Sequence, residues 1–177
     1  MLDLQPKLHG NLVKLEPLQT SDFAKLFAVA SDPLIWEQHP ASDRYQKPVF
    51  RQFFDDGMAS GGAFLICEAN SDRIIGSSRY CHYSQQANEI EIGYTFLARE
   101  YWGGRYNAEI KALMLRHAFR FVDSVLFVVG IHNFRSQQAV LKLGALPDPT
   151  DQQLHSDRII YRLRKEIFLA QGFRYGK

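Results

Sequence analysis

The chain has 177 residues, of which 46% are hydrophobic and 23% are charged, and its formal net charge is +2. This ordinary globular composition excludes a disordered chain, a collagen-like repeat and a coiled coil. A charge so close to balance favours no nucleic-acid partner, because duplex binding needs a clustered basic face. At roughly 150 residues per domain, the length predicts one domain, residues 1–177.

The two cysteines, Cys67 and Cys81, both lie in apolar stretches. They are too few for a disulfide scaffold, so we expect reduced thiols in a cytoplasmic protein. The histidines show no metal-ligand spacing, and no metal is expected. The longest apolar run, Val125 to Val129, is far shorter than the roughly 20 residues that span a bilayer. The first residues lack the basic and apolar regions of a signal peptide, so no membrane association is expected.

The chain begins with a predicted strand and a predicted helix. Asn11–Leu18 alternates roughly between apolar and polar residues, which is typical of a strand. Thr20 is placed to cap a helix that ends before Asp32-Pro33.

An irregular loop and a second helix follow. Residues 34–47 show no period and are rich in aromatic side chains. Pro48 suits the first turn of a helix, and Gly61-Gly62 end it.

Three strands with short polar loops come next, and they predict an antiparallel meander: Ala63–Glu68, Arg73–Tyr83 and Glu89–Leu97. Alternation in the third strand predicts two faces, one with Ile90, Ile92, Tyr94 and Phe96 and one with Glu89, Glu91, Gly93 and Thr95.

The last third of the chain predicts a parallel crossover. A helix over 106–121 carries an apolar stripe that includes Ile110, Met114 and His117. Val125–Ile131 is continuously apolar, which predicts a strand buried on both faces. Asn133 caps a short helix that Gly144 ends, and Arg158–Leu163 is the last strand. The fold class is therefore mixed α/β, a mostly antiparallel sheet with one parallel βαβ crossover and helices on both faces.

The turn between the third strand and the long helix is Arg-Glu-Tyr-Trp-Gly-Gly-Arg-Tyr-Asn-Ala-Glu, residues 99–109. Its glycine pair lets the backbone approach a ligand, and the helix start offers unpaired N–H groups that suit a pyrophosphate. It is neither a Walker loop nor a dinucleotide fingerprint. Glycines at such turns are often only turns, so this segment alone leaves both interpretations open. Glu89 and Glu91 on the preceding strand, and Asn133 and Ser136 after the next one, add polar groups near the ends of parallel strands.

These segments together resemble the GNAT acetyltransferases, and most of all their RimJ/RimL-like branch of ribosomal-protein N-terminal acetyltransferases. The resemblance covers nearly the whole chain and is most specific in EIEIGYTFLAREYWGGRYNAEIKALMLRHAF and NFRSQQAVLKLGA. It implies an N-acetyltransferase in which an amine attacks acetyl-CoA, the co-substrate, directly in a ternary complex. The implied acceptor is a protein N-terminus or a small-molecule amine. A homodimer is one expected assembly, since two-fold dimers are the commonest oligomers.

The resemblance also implies the roles of individual residues. Glu91 is the implied base, with Glu89 as the alternative. Either Ser136 is the implied donor to the leaving thiolate, or the thiolate leaves without a proton donor. A backbone N–H near Phe96 or Leu97 would stabilise the oxyanion. The residues expected to bind acetyl-CoA are Phe96, Leu97, Trp102, Gly103, Gly104, Arg105, Tyr106, Asn107 and Asn133. The acceptor is expected to contact the irregular region through Trp36, His39 and Tyr45. A solvated carboxylate, a helix cap and a solvated arginine are the alternative interpretations of Glu91, Ser136 and Arg105.

Three positions depart from the family pattern. Arg105 stands where a second glycine is usual, and Asn107 where alanine or glycine is usual. Val140 stands where many relatives have a tyrosine that protonates the leaving thiolate. These departures keep open a second hypothesis, a catalytically weak module or sensor that binds acyl-CoA. A third hypothesis is a hydrolase that uses Cys81 and His82. We disfavour it because adjacent residues on a strand point to opposite faces.

Overall fold

The computed structural model describes residues 2–149 and 157–171. Its strands are β1 (Leu8–His9), β2 (Val13–Pro17), β3 (Ala63–Glu68), β4 (Ile74–Ser84), β5 (Glu89–Leu97), β6 (Ser124–Gly130), β7 (Leu146–Pro147) and β8 (Arg158–Arg164). Within the described residues they form one sheet in the order β1-β2-β3-β4-β5-β6-β8-β7. The pair β5–β6 is parallel and the other neighbours are antiparallel. The predicted fold class is confirmed.

The helices are α1 (Phe23–Ala30), α2 (Lys47–Ser60), α3 (Arg105–Ala118), α4 (Phe134–Lys142) and α5 (Lys165–Ala170). Two apolar clusters fix them to the sheet. One cluster joins α3 to the sheet through residues such as Ile110, Met114, Tyr80 and Phe127. The other contains Phe23, Phe50, Phe54, Trp36 and Phe96 and joins α1 and α2 to the sheet. No helix in 2–149 or 157–171 is long and apolar enough to cross a membrane.

Local sequence signals place most helix ends correctly. Pro48 lies in the first turn of α2, and Gly61 ends that helix at φ +62°. The Asn133 side chain accepts a hydrogen bond from the Ser136 N–H at 3.2 Å, as expected of a cap. The prediction for Thr20 is wrong. A 3-10 turn precedes α1, and it begins with the Gln19 N–H donating to the Asp22 carboxylate at 2.9 Å.

The predicted alternation along β5 is wrong beyond Gly93. Tyr94 has a φ of +55°, and one extra residue of β5 enters the ladder with β4 between Gly93 and Phe96. This β-bulge exchanges the faces of the strand. Ile90 and Ile92 belong to the cluster beneath α3, whereas Phe96 belongs to the cluster of α1 and α2.

The prediction that β6 is buried on both faces is also wrong. Its side chains alternate between buried and half-buried along the strand. Val125, Phe127 and Val129 are buried against the α3 cluster. The other face stays partly open because Val128 and Gly130 lie on the wall of a cleft.

Candidate active site

The cleft begins where β5 and β6 part. Their parallel ladder ends at the pair Glu91 and Leu126, although β6 continues beside β8 to Gly130. Beyond Glu91, β5 therefore has no ladder partner on its β6 side among the described strands. A cleft of about 1390 Å³ occupies this fork and runs on to the start of α3. The free edge of β5 offers backbone donors and acceptors to whatever binds there.

The end of the cleft at α3 is formed by backbone. Gly103 and Gly104 have φ values of +97° and +117°, which side-chain-bearing residues rarely adopt. Gly104 is the N-cap of α3, and no side chain caps the helix. A Cβ at either glycine would meet no atom within 4 Å, so the space above the turn is open. The first N–H groups of α3 and the positive end of its dipole thus face a free volume that suits an anion.

An aromatic platform connects this turn to β5. The Trp102 Nε1–H donates to the Leu97 carbonyl at 3.0 Å. The Arg135 guanidinium lies 3.7 Å from the Trp102 ring centroid, a cation–π contact. Phe96 packs against Trp36 with ring centroids 5.0 Å apart. These contacts connect the β5 edge to the glycine turn along one side of the cleft.

Glu91 is the buried carboxylate of the cleft. The residue is only 7% exposed, and its carboxylate lies 2.7 Å from His82 Nδ1. His82 has a side-chain exposure of 71%. The imidazole therefore connects a buried carboxylate to solvent, as a base that must pass on a proton requires.

Glu89, the alternative base, is placed differently. It is not among the residues that line the cleft. Its carboxylate pairs with Arg162 at 2.5 Å, and Arg162 also donates to Asp148 at 2.6 Å. This carboxylate is therefore engaged in an ion-pair network beside the sheet.

Cys81 and His82 do not point to opposite faces, so that prediction is wrong. The β4–β5 register shifts after Cys81, and His82 has a φ of +51°. As a result the sulfur of Cys81, a ring nitrogen of His82 and a carboxylate oxygen of Glu91 all lie within 4.8 Å of one another. A hydrolytic pair still finds no support, because burial raises the pKa of the Cys81 thiol to about 12 and disfavours the thiolate.

Asn133, Ser136 and Val140 line the cleft from α4. Asn133 caps the helix through its side-chain oxygen, which leaves its amide group for other contacts. Ser136 brings a hydroxyl to this wall. Val140 is 5% exposed and brings no proton donor.

Lys111 is a cleft residue that the sequence did not single out. It is 6% exposed, and its Nζ donates to Thr95 Oγ1 at 2.6 Å. Nζ also lies 5.7 Å from the Phe127 ring centroid, so the amine sits in the fork between β5 and β6. Burial lowers the pKa of Lys111 to about 7. Its spacing of four residues from Asn107, on one helix face, is the signal that could have pointed to it.

The far wall of the cleft comes from the irregular loop. Trp36 and His39 line it as expected, with the Trp36 Nε1–H held by the Ala30 carbonyl at 2.8 Å. Tyr45 does not line the cleft, and it is 39% exposed. Arg44, which the sequence did not single out, lines it instead. In a loop without periodicity, nothing in the sequence separates Arg44 from its neighbours.

A family model described as an acetyltransferase (GNAT) domain matches residues 13–146. The chain belongs to the GNAT acetyltransferase family. A curated relative, the protein translocase subunit SecA of Bifidobacterium adolescentis, is 28% identical over 120 residues. That match covers 65% of this chain but only 12% of the relative, so it carries no translocase activity to this chain.

Solved structures agree with the GNAT fold. A GCN5-related N-acetyltransferase from Brucella melitensis is 18% identical with a TM-score of 0.78, over 97% of this chain and 84% of that chain. A GNAT acetyltransferase from Bacillus anthracis is 15% identical with a TM-score of 0.75, over 91% and 99%. Spermidine N-acetyltransferase from Vibrio cholerae, in complex with CoA and spermine, is 12% identical with a TM-score of 0.66, over 89% and 98%. At these identities the likeness shows the fold alone.

Most of the residues predicted for a GNAT site converge on the cleft. Those that line it are Trp36, His39, Glu91, Phe96, Leu97, Trp102, Gly103, Gly104, Arg105, Asn107, Asn133 and Ser136. Tyr45 and Tyr106 do not. Tyr106 instead packs its ring on Tyr101 with centroids 4.8 Å apart.

Proposed function

We propose that this chain is an N-acetyltransferase that moves an acetyl group from acetyl-CoA to a primary amine by direct attack in a ternary complex. One observation carries the proposal. A single cleft joins the glycine turn at the start of α3 to the buried carboxylate of Glu91. An anion site and a base in one cavity are what a thioester donor and an amine acceptor require.

The residues present fit acetyl-CoA. Gly103, Gly104 and the first turn of α3 would hold the pyrophosphate through backbone N–H groups, with Arg105 as an additional cation. The unpaired edge of β5 would hydrogen-bond the amides of the pantetheine arm. Because backbone forms these contacts, the departures at Arg105 and Asn107 leave them in place.

The chemistry follows from the groups around the fork. Glu91 takes a proton from the acceptor ammonium, and the free amine attacks the acetyl carbonyl carbon. A C–N bond forms and the C–S bond breaks, with a β5 backbone N–H near Phe96 or Leu97 stabilising the oxyanion. The Ser136 hydroxyl donates a proton to the departing thiolate and recovers one from the nitrogen, which loses its second proton as the amide forms. His82 relays the proton of Glu91 to solvent.

Initial rates test this order of events. Acetyl-CoA and an amine are varied together, and thiol release is followed. Direct attack predicts intersecting double-reciprocal lines, whereas parallel lines would show a covalent acetyl-enzyme and contradict the proposal.

The absence of a proton donor at Val140 favours a second candidate, a catalytically weak module or sensor that binds acyl-CoA. Its signature is tight acetyl-CoA binding with no acetylated product from any amine. Mass spectrometry of the amines after long incubation distinguishes it from the enzyme.

The RimJ/RimL-like branch, and with it a protein N-terminus as one possible acceptor class, forms part of this proposal on sequence resemblance. The single domain over 1–177, the cytoplasmic location and the homodimer stay predictions.

A further inference from the structure

The acceptor wall of the cleft carries an arginine without a carboxylate partner. The Arg44 guanidinium carbon lies 4.6 Å from the Phe53 ring centroid and 5.6 Å from that of Trp36. No ion pair within 4.0 Å joins Arg44 to an acidic group in 2–149 or 157–171. Burial lowers the pKa of Arg44 to about 10, which leaves it charged at neutral pH. A half-buried guanidinium stacked on aromatic rings therefore has hydrogen-bond donors to spare.

The neighbouring histidine can satisfy only one of the guanidinium donors of Arg44. His39 Nδ1 accepts a hydrogen bond from the Ala41 N–H at 2.9 Å. Arg44 Nη1 lies 3.1 Å from His39 Nε2. Burial and the charge of Arg44 lower the pKa of His39 to about 4, so the ring is neutral and has one lone pair. That lone pair serves either the Ala41 N–H or Arg44 Nη1, so the histidine takes up at most one Arg44 donor.

A second buried arginine adds to the positive charge. Arg79 is 6% exposed, its Nη2 donates to the Phe53 carbonyl at 3.1 Å, and its Nε is buried without a hydrogen-bond partner. Its guanidinium lies 5.4 Å from the same Phe53 ring that Arg44 covers. Two guanidinium groups thus share one aromatic cluster, and their mutual repulsion is relieved by an anion.

This positive region lies beside the base. The Tyr94 ring is 4.2 Å from the Arg79 guanidinium and 6.0 Å from that of Arg44. Tyr94 belongs to the bulge of β5 and is three residues from Glu91. Tyr94, Arg44 and Glu91 all line the cleft. A negative group that takes the amine proton and a positive group without an anion therefore line the same cavity.

We propose that the acceptor is an amine that also carries a carboxylate, with the carboxylate held by Arg44 and the amine presented to Glu91. This inference rests on the proposed acetyltransferase function and names its substrate class. A guanidinium matches a carboxylate in two parallel hydrogen bonds, and Arg79 behind it raises the local positive potential. A polyamine would bring a second cation towards Arg44 and is disfavoured here.

Matched pairs of amines test the inference. Acetylation of L-phenylalanine is compared with that of phenethylamine, and L-lysine with cadaverine, with spermidine and O-phosphoethanolamine as further arms. Each pair differs by the carboxylate. We expect kcat/KM for the carboxylated member to exceed that of its partner by at least about 10-fold.

Arg44→Gln removes the positive charge that is expected to hold the carboxylate of the acceptor. It should lower kcat/KM for the carboxylated amines about 10-fold to 100-fold and leave that for the partners without a carboxylate within about threefold. Arg44→Lys, which keeps the charge but not the paired donors, should fall between. Arg51→Gln is the matched control, since Arg51 lies on α2 over Phe23, pairs with Asp55 at 3.6 Å and does not line the cleft. Circular dichroism checks that each variant is folded.

The outcomes separate this inference from the proposed function. Equal acetylation of both members of each pair, a preference for spermidine or O-phosphoethanolamine, or an equal loss on both members in Arg44→Gln overturns the carboxylate site while acetyl transfer stands. If no amine is acetylated, the proposed function fails. Thermal unfolding with CoA and each amine then decides the inference, which is overturned unless the carboxylated members stabilise wild type more than Arg44→Gln.

Discussion

The two ends of the cleft differ in the groups that form them: backbone groups at the α3 end and side chains at the acceptor end. At the α3 end, two glycines, a helix start and a strand edge present backbone groups, and all of them come from one stretch of chain, residues 92–107. At the acceptor end, the side chains of Arg44 from the loop and Tyr94 from β5 line the cleft. Phe53 of α2 and Arg79 of β4 pack against them. A backbone site tolerates side-chain changes, whereas a site made of side chains changes its ligand when one residue changes.

The largest effect is expected where the two ends meet. Glu91→Gln removes the base but keeps the shape of the cleft, so we expect kcat to fall about 10²-fold to 10⁴-fold with little change in the Kd of acetyl-CoA. Steady-state kinetics and calorimetry measure the two quantities. Glu89→Gln is the control, because Glu89 pairs with Arg162 outside the cleft. A wild-type rate in Glu91→Gln would remove Glu91 from the mechanism.

The anion site at the α3 end depends on the backbone conformation of the glycine turn. Gly104→Ala puts a side chain at φ +117°, which costs about 1–3 kcal/mol or forces the turn to rotate its N–H groups away. We expect the affinity for acetyl-CoA to fall about tenfold or more. Gly61→Ala imposes a positive φ of +62° on the end of α2, away from the cleft. It should lower thermal stability without weakening acetyl-CoA binding; equal weakening in both variants would argue against the backbone site.

The buried amine of Lys111, between β5 and β6, allows a test of how stability depends on pH. Its pKa of about 7 in the folded chain lies below the usual 10.5. As pH falls from about 10 to 7, the unfolded chain gains a proton that the folded chain does not, so folding loses stability, and the loss levels off below 7. Lys111→Met lacks this loss. Urea unfolding should show its advantage over wild type growing by about 1 kcal/mol or more from pH 10 to 7.

The control for this pH dependence is Lys25→Met, at an exposed position on α1. Its difference from wild type should stay constant over the same pH range. A constant difference for Lys111→Met as well would mean that Lys111 carries its charge in the folded chain.

The smallest effect is expected for the side chain of Arg105, which is compared with the backbone groups of the same turn. Arg105 is exposed, so Arg105→Gln should weaken acetyl-CoA binding only about twofold to fivefold. Calorimetry at two salt concentrations measures it, since an exposed charge is screened by salt. A loss as large as that in Gly104→Ala would make the site depend on the side chain rather than on backbone.

The same contrast explains what could be predicted from the sequence. The glycine pair and Asn133 could be predicted because turns and caps are local, and Glu91 was singled out by its position on the strand before the turn and by the family resemblance. The bulge at Tyr94 was missed because a positive φ in a non-glycine residue leaves no mark in a hydrophobic pattern. It moves Phe96 to the opposite face, and a similar irregularity brings His82 to Glu91. Arg44 was missed because its role arises only when the loop reaches β5.

Thermal unfolding with saturating acetyl-CoA, with AMP as the control, tests the central claim most directly. A ligand at about 100 times its Kd adds roughly 2.7 kcal/mol of stability. For a chain of this length we expect Tm to rise by about 5–10 °C with acetyl-CoA and to stay unchanged with AMP. No rise with acetyl-CoA at saturation would contradict the account, because the glycine turn and the β5 edge would then not form a donor site.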